Sequence, residues 1–298
     1  MRASPMDDTT ITPSRPTTLA WSLLLTGLLA LAWLSGAARA QSLNASPPVV
    51  AVSASPGQEV TKTVDVMSSA KAPFDLRIYL SDWAFKQDGS IYYDKPGALS
   101  GSACPWITYT PATDRLDAGA KLTARYTVQV PAGAKPGTHW CVLFFDGGSV
   151  TPPPGKSVAT FRLRVGQTIY VNVPPLNMDG AITGLFTQPP AKTGDPYQLV
   201  VQYANTGNQV EWVTGSVELR DSQGNAIRKL DLAGFTALPS SSQNVALEVP
   251  GPLPSGTYAA LAVLSYGKAL TQVAGQTTFT LDKPLPAAKT GQTGGSGK

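Results

Sequence analysis

An all-β chain made of two tandem antiparallel β-sandwiches is predicted by three features of the sequence. The first is composition. Among 298 residues there are 28 Gly and 26 Pro, and only 14% are charged, a balance that suits short strands joined by turns. The second is periodicity, because apolar and polar residues alternate over short runs and no helical period is sustained. The third is a repeated phrase: "VPAGAKPGTHW" (Val130–Trp140) returns as "VPGPLPSGTY" (Val249–Tyr258). In both copies a Val-Pro pair stops an alternating run, and a Gly-Thr-aromatic triplet follows. Such punctuation points to one structural corner made once per domain.

The N-terminal segment reads differently. Leu19–Leu34, "LAWSLLLTGLLALAWL", is an apolar run preceded by Arg2 and Arg15 and followed by Ala38-Arg39-Ala40. These are the parts of a secretory signal, with cleavage expected after Ala40. Residues 1–40 are thus expected to be removed and the rest exported, to the periplasm or beyond. No later run is long and apolar enough to span a bilayer, so no stable membrane insertion is expected after cleavage. The formal net charge of +4 is too small and scattered to argue for nucleic acid. Cys104 and Cys141 are the only cysteines. In an oxidising compartment they are expected to form a disulfide, contributing on the order of 3 kcal/mol; two buried thiols are the alternative.

Taken in order, "VTKTVDV" sets Val60, Val64 and Val66 on one face. "FDLRIYLSDW" follows, then a turn at Asp88-Gly89 and "SIYYD". "CPWITYTP" comes next, and "LTARYTVQV" turns Leu122, Tyr126, Val128 and Val130 inward. "HWCVLFF" is apolar throughout, as befits a central strand covered on both faces. "VATFRLRVGQTIYVNV" is the last and longest run, after "GGSVTPPPGKS", which has the glycine and proline content of a long loop. Seven or so strands of this kind make a sandwich of immunoglobulin type.

The second domain repeats the order with "YQLVVQYANTG", a hairpin about Gly224-Asn225, "QNVALEV", "TYAALAVLSY" and "GQTTFTL". The expected organisation is a signal over 1–40, a first sandwich over 41–174 and a second over 175–282. A polar tail over 283–298 is expected to be disordered. In immunoglobulin-like sandwiches a ring at the start of the sixth strand ties the corner to the chain just upstream. Tyr258 takes that place in the second copy, and His139 in the first.

Several stretches of the first domain resemble the periplasmic pilus-assembly chaperones, the PapD-like family. They are the "SPG" turn at Ser55–Gly57, "LSDW" with "DGSIYY", "PWITYTP" with "RLDAG", "VPAGAKPGTHWCVLFF", and "FRLRVGQTIYVNV". The resemblance implies two sandwiches, a long seventh strand beside the cleft, and a client subunit bound by strand addition. On that strand Phe161, Leu163, Val165, Ile169 and Val171 share one parity and are expected to contact a partner, the alternative being that they fill the core of their own sandwich. Lys156, Arg162 and Arg164 would supply its positive charge. The family also holds its client's terminal carboxylate with a basic residue of the first strand, whereas "PPVVAVSAS" here has none.

Catalysis has little to work with. His139 is the only histidine and sits at the corner, so neither a Ser-His-Asp device nor a closed zinc site is expected, and no cofactor or metal is called for. Asp82, Asp88 and Asp94 read as a solvated hairpin, and Trp83, Trp106 and Trp140 as packing residues. The expected function is non-enzymatic: a periplasmic chaperone for protein subunits of a pilus or other surface structure. The alternative is a structural or adhesive envelope module.

Overall fold

The computed structural model describes residues 42–147, 162–192 and 195–286. The expected signal and its cut after Ala40 lie outside the described residues, as do Lys156, Phe161 and the tail beyond Pro286.

The first sandwich contains β1 (Leu43–Ser46), β2 (Val49–Ser53), β3 (Glu59–Ser68), β4 (Phe74–Phe85), β5 (Ile91–Asp94), β6 (Ile107–Thr110), β7 (Thr113–Leu116), β8 (Lys121–Gln129), β9 (Gly137–Gly147) and β10 (Leu163–Val173). One sheet has the order β1-β3-β8-β6. The other has the order β2-β10-β9-β4-β5, with β7 also on β4. The single expected first strand is therefore two. β1 pairs antiparallel with β3, and after Pro47-Pro48 the chain changes sheets and β2 runs parallel to β10. Prolines cannot donate to a ladder, so the crossing falls where pairing is already interrupted.

The second sandwich contains β11 (Gly180–Gln188), β12 (Gln198–Asn205), β13 (Glu211–Arg220), β14 (Ala226–Ala237), β15 (Ser242–Glu248), β16 (Gly256–Tyr266) and β17 (Thr271–Leu281). Its sheets run β11-β12-β15 and β14-β13-β16-β17. Three strands were not expected: β1, β7 and β11. Each exists because a neighbour supplies its ladder. Past β17, Leu285 exchanges backbone hydrogen bonds with Leu253 at 2.8 and 3.1 Å, so order continues into the segment assigned to the tail.

Alternation places the cores where the sequence puts them. Val64, Val66, Tyr126, Val128 and Val130 are buried, and β9 is covered on both faces between β10 and β4. Cys141 of β9 is bonded to Cys104, at the start of a three-residue 3₁₀ turn leading into β6, with Cα atoms 5.0 Å apart. The bridge joins the two sheets of one sandwich and stands apart from the usual second-to-sixth-strand disulfide of immunoglobulin domains.

The repeated phrase builds the same corner twice. Tyr258 Oη donates to Pro254 O at 2.7 Å, and His139 Nε2 lies 3.0 Å from Lys135 O, four residues upstream in each case. A carbonyl only accepts, so His139 carries its proton on Nε2. The glycine of each triplet is needed: Gly137 has φ +135° and Gly256 has φ +153°, conformations that side chains strain.

The sandwiches meet through hydrogen bonds and a small apolar cluster. Thr138 N donates to Asn208 O at 2.7 Å, Val210 N donates to Thr138 Oγ1 at 3.1 Å, and Asn244 N donates to Gln87 O at 2.6 Å. Trp83, Trp140, Val142 and Phe144, on the outer face of the six-stranded sheet, pack with Leu238 of the second sandwich. Trp83 and Trp140 are buried as expected, but between domains, outside the core of their own sandwich.

Two outcomes follow from these contacts. Tyr258→Phe should lower stability by about 1 kcal/mol, read as a reduced urea midpoint; an unmoved midpoint would remove the corner bond from the energetics. Burial raises the pKa of Glu211, whose Oε2 accepts from Tyr203 Oη at 2.6 Å. A carboxyl with a raised folded-state pKa costs stability as pH climbs from the ordinary Glu range through that higher value. Glu211→Gln should therefore flatten this fall in a pH series of thermal melts, and an unchanged slope would contradict it.

Candidate partner-binding edge

The site begins with backbone hydrogen bonds. β10 pairs with β9 from Leu163 to Val173, but β2 covers its other side only from Thr168 to Asn172. The outermost links are Thr168 N to Pro48 O at 2.9 Å and Ala54 N to Asn172 O at 3.1 Å. Even-numbered residues of β10 thus aim their backbone groups at β2, and alternation carries the same direction to Arg164 and Gly166. Among the described residues, no strand pairs with the N–H and C=O groups of Arg164 and Gly166.

Gln167 marks where the opening ends. It is fully buried, its Nε2 donates to Pro47 O at 2.8 Å, and its Oε1 has no partner among the described residues. The side chain thereby pins the crossing between β1 and β2 and fixes the point at which β2 starts to cover β10.

The expected contact residues divide at this point. Leu163 and Val165 are half-buried, packed on the margin of the core. Ile169 and Val171 are fully buried inside it, on the stretch already paired with β2. They serve their own sandwich, so the partner-binding expectation narrows to Leu163 and Val165.

The opposite parity forms the outer face. Arg162 grips Asp146 with both arms of its fork, at 2.7 and 2.8 Å. The Arg164 guanidinium lies 4.7 Å from the Phe144 ring centroid and 5.4 Å from that of Tyr93. Its Nη1 meets Tyr79 Oη at 3.5 Å, a contact that holds the Arg164 pKa above its ordinary value. Further along, burial pushes Tyr170 up to about 12. Gly166 makes this layer possible, because a Cβ there would lie 2.6 Å from Val142 Cγ2 and 3.0 Å from Phe144 Cδ1. Sequence patterning did not single out Gly166, Gln167 or the Tyr79-Tyr93-Phe144 rings. The Gly-Gln pair interrupting "FRLRVGQTIYVNV" was the one available signal.

The aspartates of the hairpin have separate partners. Asp82 is buried and accepts from Leu99 N at 2.8 Å and Ser102 Oγ at 2.5 Å. Asp88 accepts from Ser90, and Asp94 from Lys95 N.

No protein-family model and no curated protein matches the sequence. Among solved structures, the class 5 fimbriae chaperone CfaA is similar at 14% identity, covering 79% of this chain and 99% of that one, with a TM-score of 0.45. The YadV chaperone is similar at 13% identity, covering 80% and 99%, with a TM-score of 0.42. The CupB2 chaperone of Pseudomonas aeruginosa is similar at 16% identity, covering 82% and 100%, with a TM-score of 0.40.

The division of β10 can be checked by stability alone. Ile169→Asp buries an unpaired charge and should cost about 4 kcal/mol or more. Leu163→Asp, at the half-open margin, should cost about 1 kcal/mol. Equal losses in urea titrations would show that both positions are core.

Proposed function

We propose that this protein is a non-enzymatic assembly chaperone of the periplasm that captures a protein subunit by β-strand addition along Leu163–Gln167. The observation that carries the reading is the half-covered β10. Its backbone donors and acceptors at Arg164 and Gly166 are unpaired among the described residues, while Leu163 and Val165 sit half-buried beside them. An exposed edge of this kind recruits a strand from another chain because added pairing satisfies groups that otherwise face water.

Three features make the edge a controlled one. β2 and Gln167 limit its length. The charged side chains of Arg162 and Arg164 border it, which discourages pairing between identical copies. The bridged, fully packed sandwich behind it keeps the strand straight in the absence of a partner. The partner that fits is a pilus or other surface subunit whose own sandwich lacks a strand, so that Leu163 and Val165 enter its groove.

Co-expression with such a subunit and affinity capture of the chain tests this. Leu163→Asp and Val165→Asp should each reduce recovered subunit by tenfold or more, since each apolar side chain contributes about 1.5–3 kcal/mol when buried. Circular dichroism should stay unchanged. Full capture by both folded variants would exclude this edge as the docking strand.

A further inference from the structure

The two most exposed large apolar side chains of the described residues border one cavity. They are Trp212, at 61% exposure, and Leu270, at 66%. Trp212 belongs to the outward-facing parity of β13, since Glu211 and Val213 on either side of it are buried. Its indole leans across to β14, where a Cβ at Gly234 would lie 2.3 Å from Cζ2 and 2.6 Å from Cε2. Glycine there lets the ring settle against backbone while the rest of it stays open. Leu270 stands in the turn between β16 and β17 with φ +51°, a left-handed conformation disfavoured for a residue other than glycine. A leucine that is both strained and exposed gains little from packing in its own sandwich. The register sets Thr236 abreast of Trp212 and Ser265 abreast of Thr214, so three hydroxyl side chains share the face of the indole. Tyr170 and Met178 also line the cavity, whose volume is about 400 Å³. Glu211 turns its carboxyl away to Tyr203 Oη, which leaves Lys268 as the one charged side chain at the cavity among the described residues.

We propose that this cavity is a binding site for a neutral oligosaccharide. A concave site at the small end of the usual ligand-site range suits a short saccharide better than the broad face of a protein. Its make-up is mixed in the way a sugar requires. A pyranose has a face of C–H groups and a rim of hydroxyls. The C–H face packs on an aromatic ring, whose π-surface is electron-rich, and Trp212 offers that surface with Leu270 and Met178 as further apolar walls. The rim meets Thr214, Thr236 and Ser265, whose hydroxyls both donate and accept. An ionic ligand finds only the ammonium of Lys268. A wholly apolar ligand would cover the three hydroxyls without giving them partners. The site makes no use of the open stretch Leu163–Gln167 and stands or falls apart from strand addition.

The test titrates the full chain, labelled with nitrogen-15, with maltotriose and separately with triacetylchitotriose. The Trp212 Nε1–H resonance, identified by its loss in Trp212→Ala, should shift saturably with at least one of the two. Those of the buried Trp83 and Trp140 should stay in place. By calorimetry, Trp212→Ala should weaken binding about tenfold. Leu270→Gly, which suits the left-handed turn, should weaken it severalfold with an unchanged circular dichroism spectrum. No shift at tens of millimolar saccharide, or equal shifts across the buried tryptophans, overturns the site. Saturable binding of indole or of a naphthalene dye with no response to either saccharide overturns the sugar assignment. A Trp212 resonance that moves when the protein alone is diluted overturns it in favour of contact between two copies of the chain.

Discussion

The parallel pairing of β2 with β10 ends at Thr168, and among the described residues the backbone beyond that point has a neighbour on one side only. The other features of the first sandwich near the cleft depend on where that pairing ends. Pro47-Pro48 interrupts the ladder of the first strand and lets the chain change sheets. Gln167 reaches across to Pro47 O and holds the crossing in place. A longer β2 would bury the edge, and a shorter one would uncover Ile169 and Val171, whose side chains complete the core. The open length is thus set by two prolines and one buried amide. The two prolines lie outside β10 itself.

An open edge is useful only if the structure behind it does not yield. The disulfide ties β9 to the turn ahead of β6, joining the two sheets on the strand that directly supports β10. At the start of β9, Gly137 and His139 form the corner, and Thr138 binds both Asn172 of β10 and the backbone of Asn208 and Val210 in the second sandwich. One strand therefore carries the bridge, the corner and the contact to the neighbouring domain. Its near-complete burial is consistent with that concentration of roles. The apolar cluster of Trp83, Trp140 and Leu238 adds contact at the same junction, so β10 is braced from its own sheet and from the second sandwich.

The outer face shows how one strand parity can serve two purposes along its length. Near Tyr170 it contributes to the cluster between the sandwiches. Near Arg164 it carries charge held over rings. Gly166 separates the two because any side chain there would collide with Val142 and Phe144.

Much of the fold was legible in the residue order. Strict alternation in β3 and β8, the unbroken apolar run of β9, and the doubled Val-Pro…Gly-Thr-aromatic phrase each record a local requirement: a buried face, a strand covered on both sides, a glycine where φ is positive. Local requirements leave local marks, so the class of fold and its corners needed no partner to be read. Which strand lies beside which leaves no such mark. β1, β7 and β11 are short or weakly patterned, and each is defined by the neighbour that supplies its ladder. Leu163 and Ile169 share parity and chemistry, yet only the extent of β2, more than a hundred residues upstream, makes one marginal and the other core. The contact of Trp212 with Gly234 is likewise a product of register between two strands. The sequence alone determined what each segment could bury; the tertiary structure decided what was left uncovered, because coverage depends on the full set of neighbours and not on the segment itself.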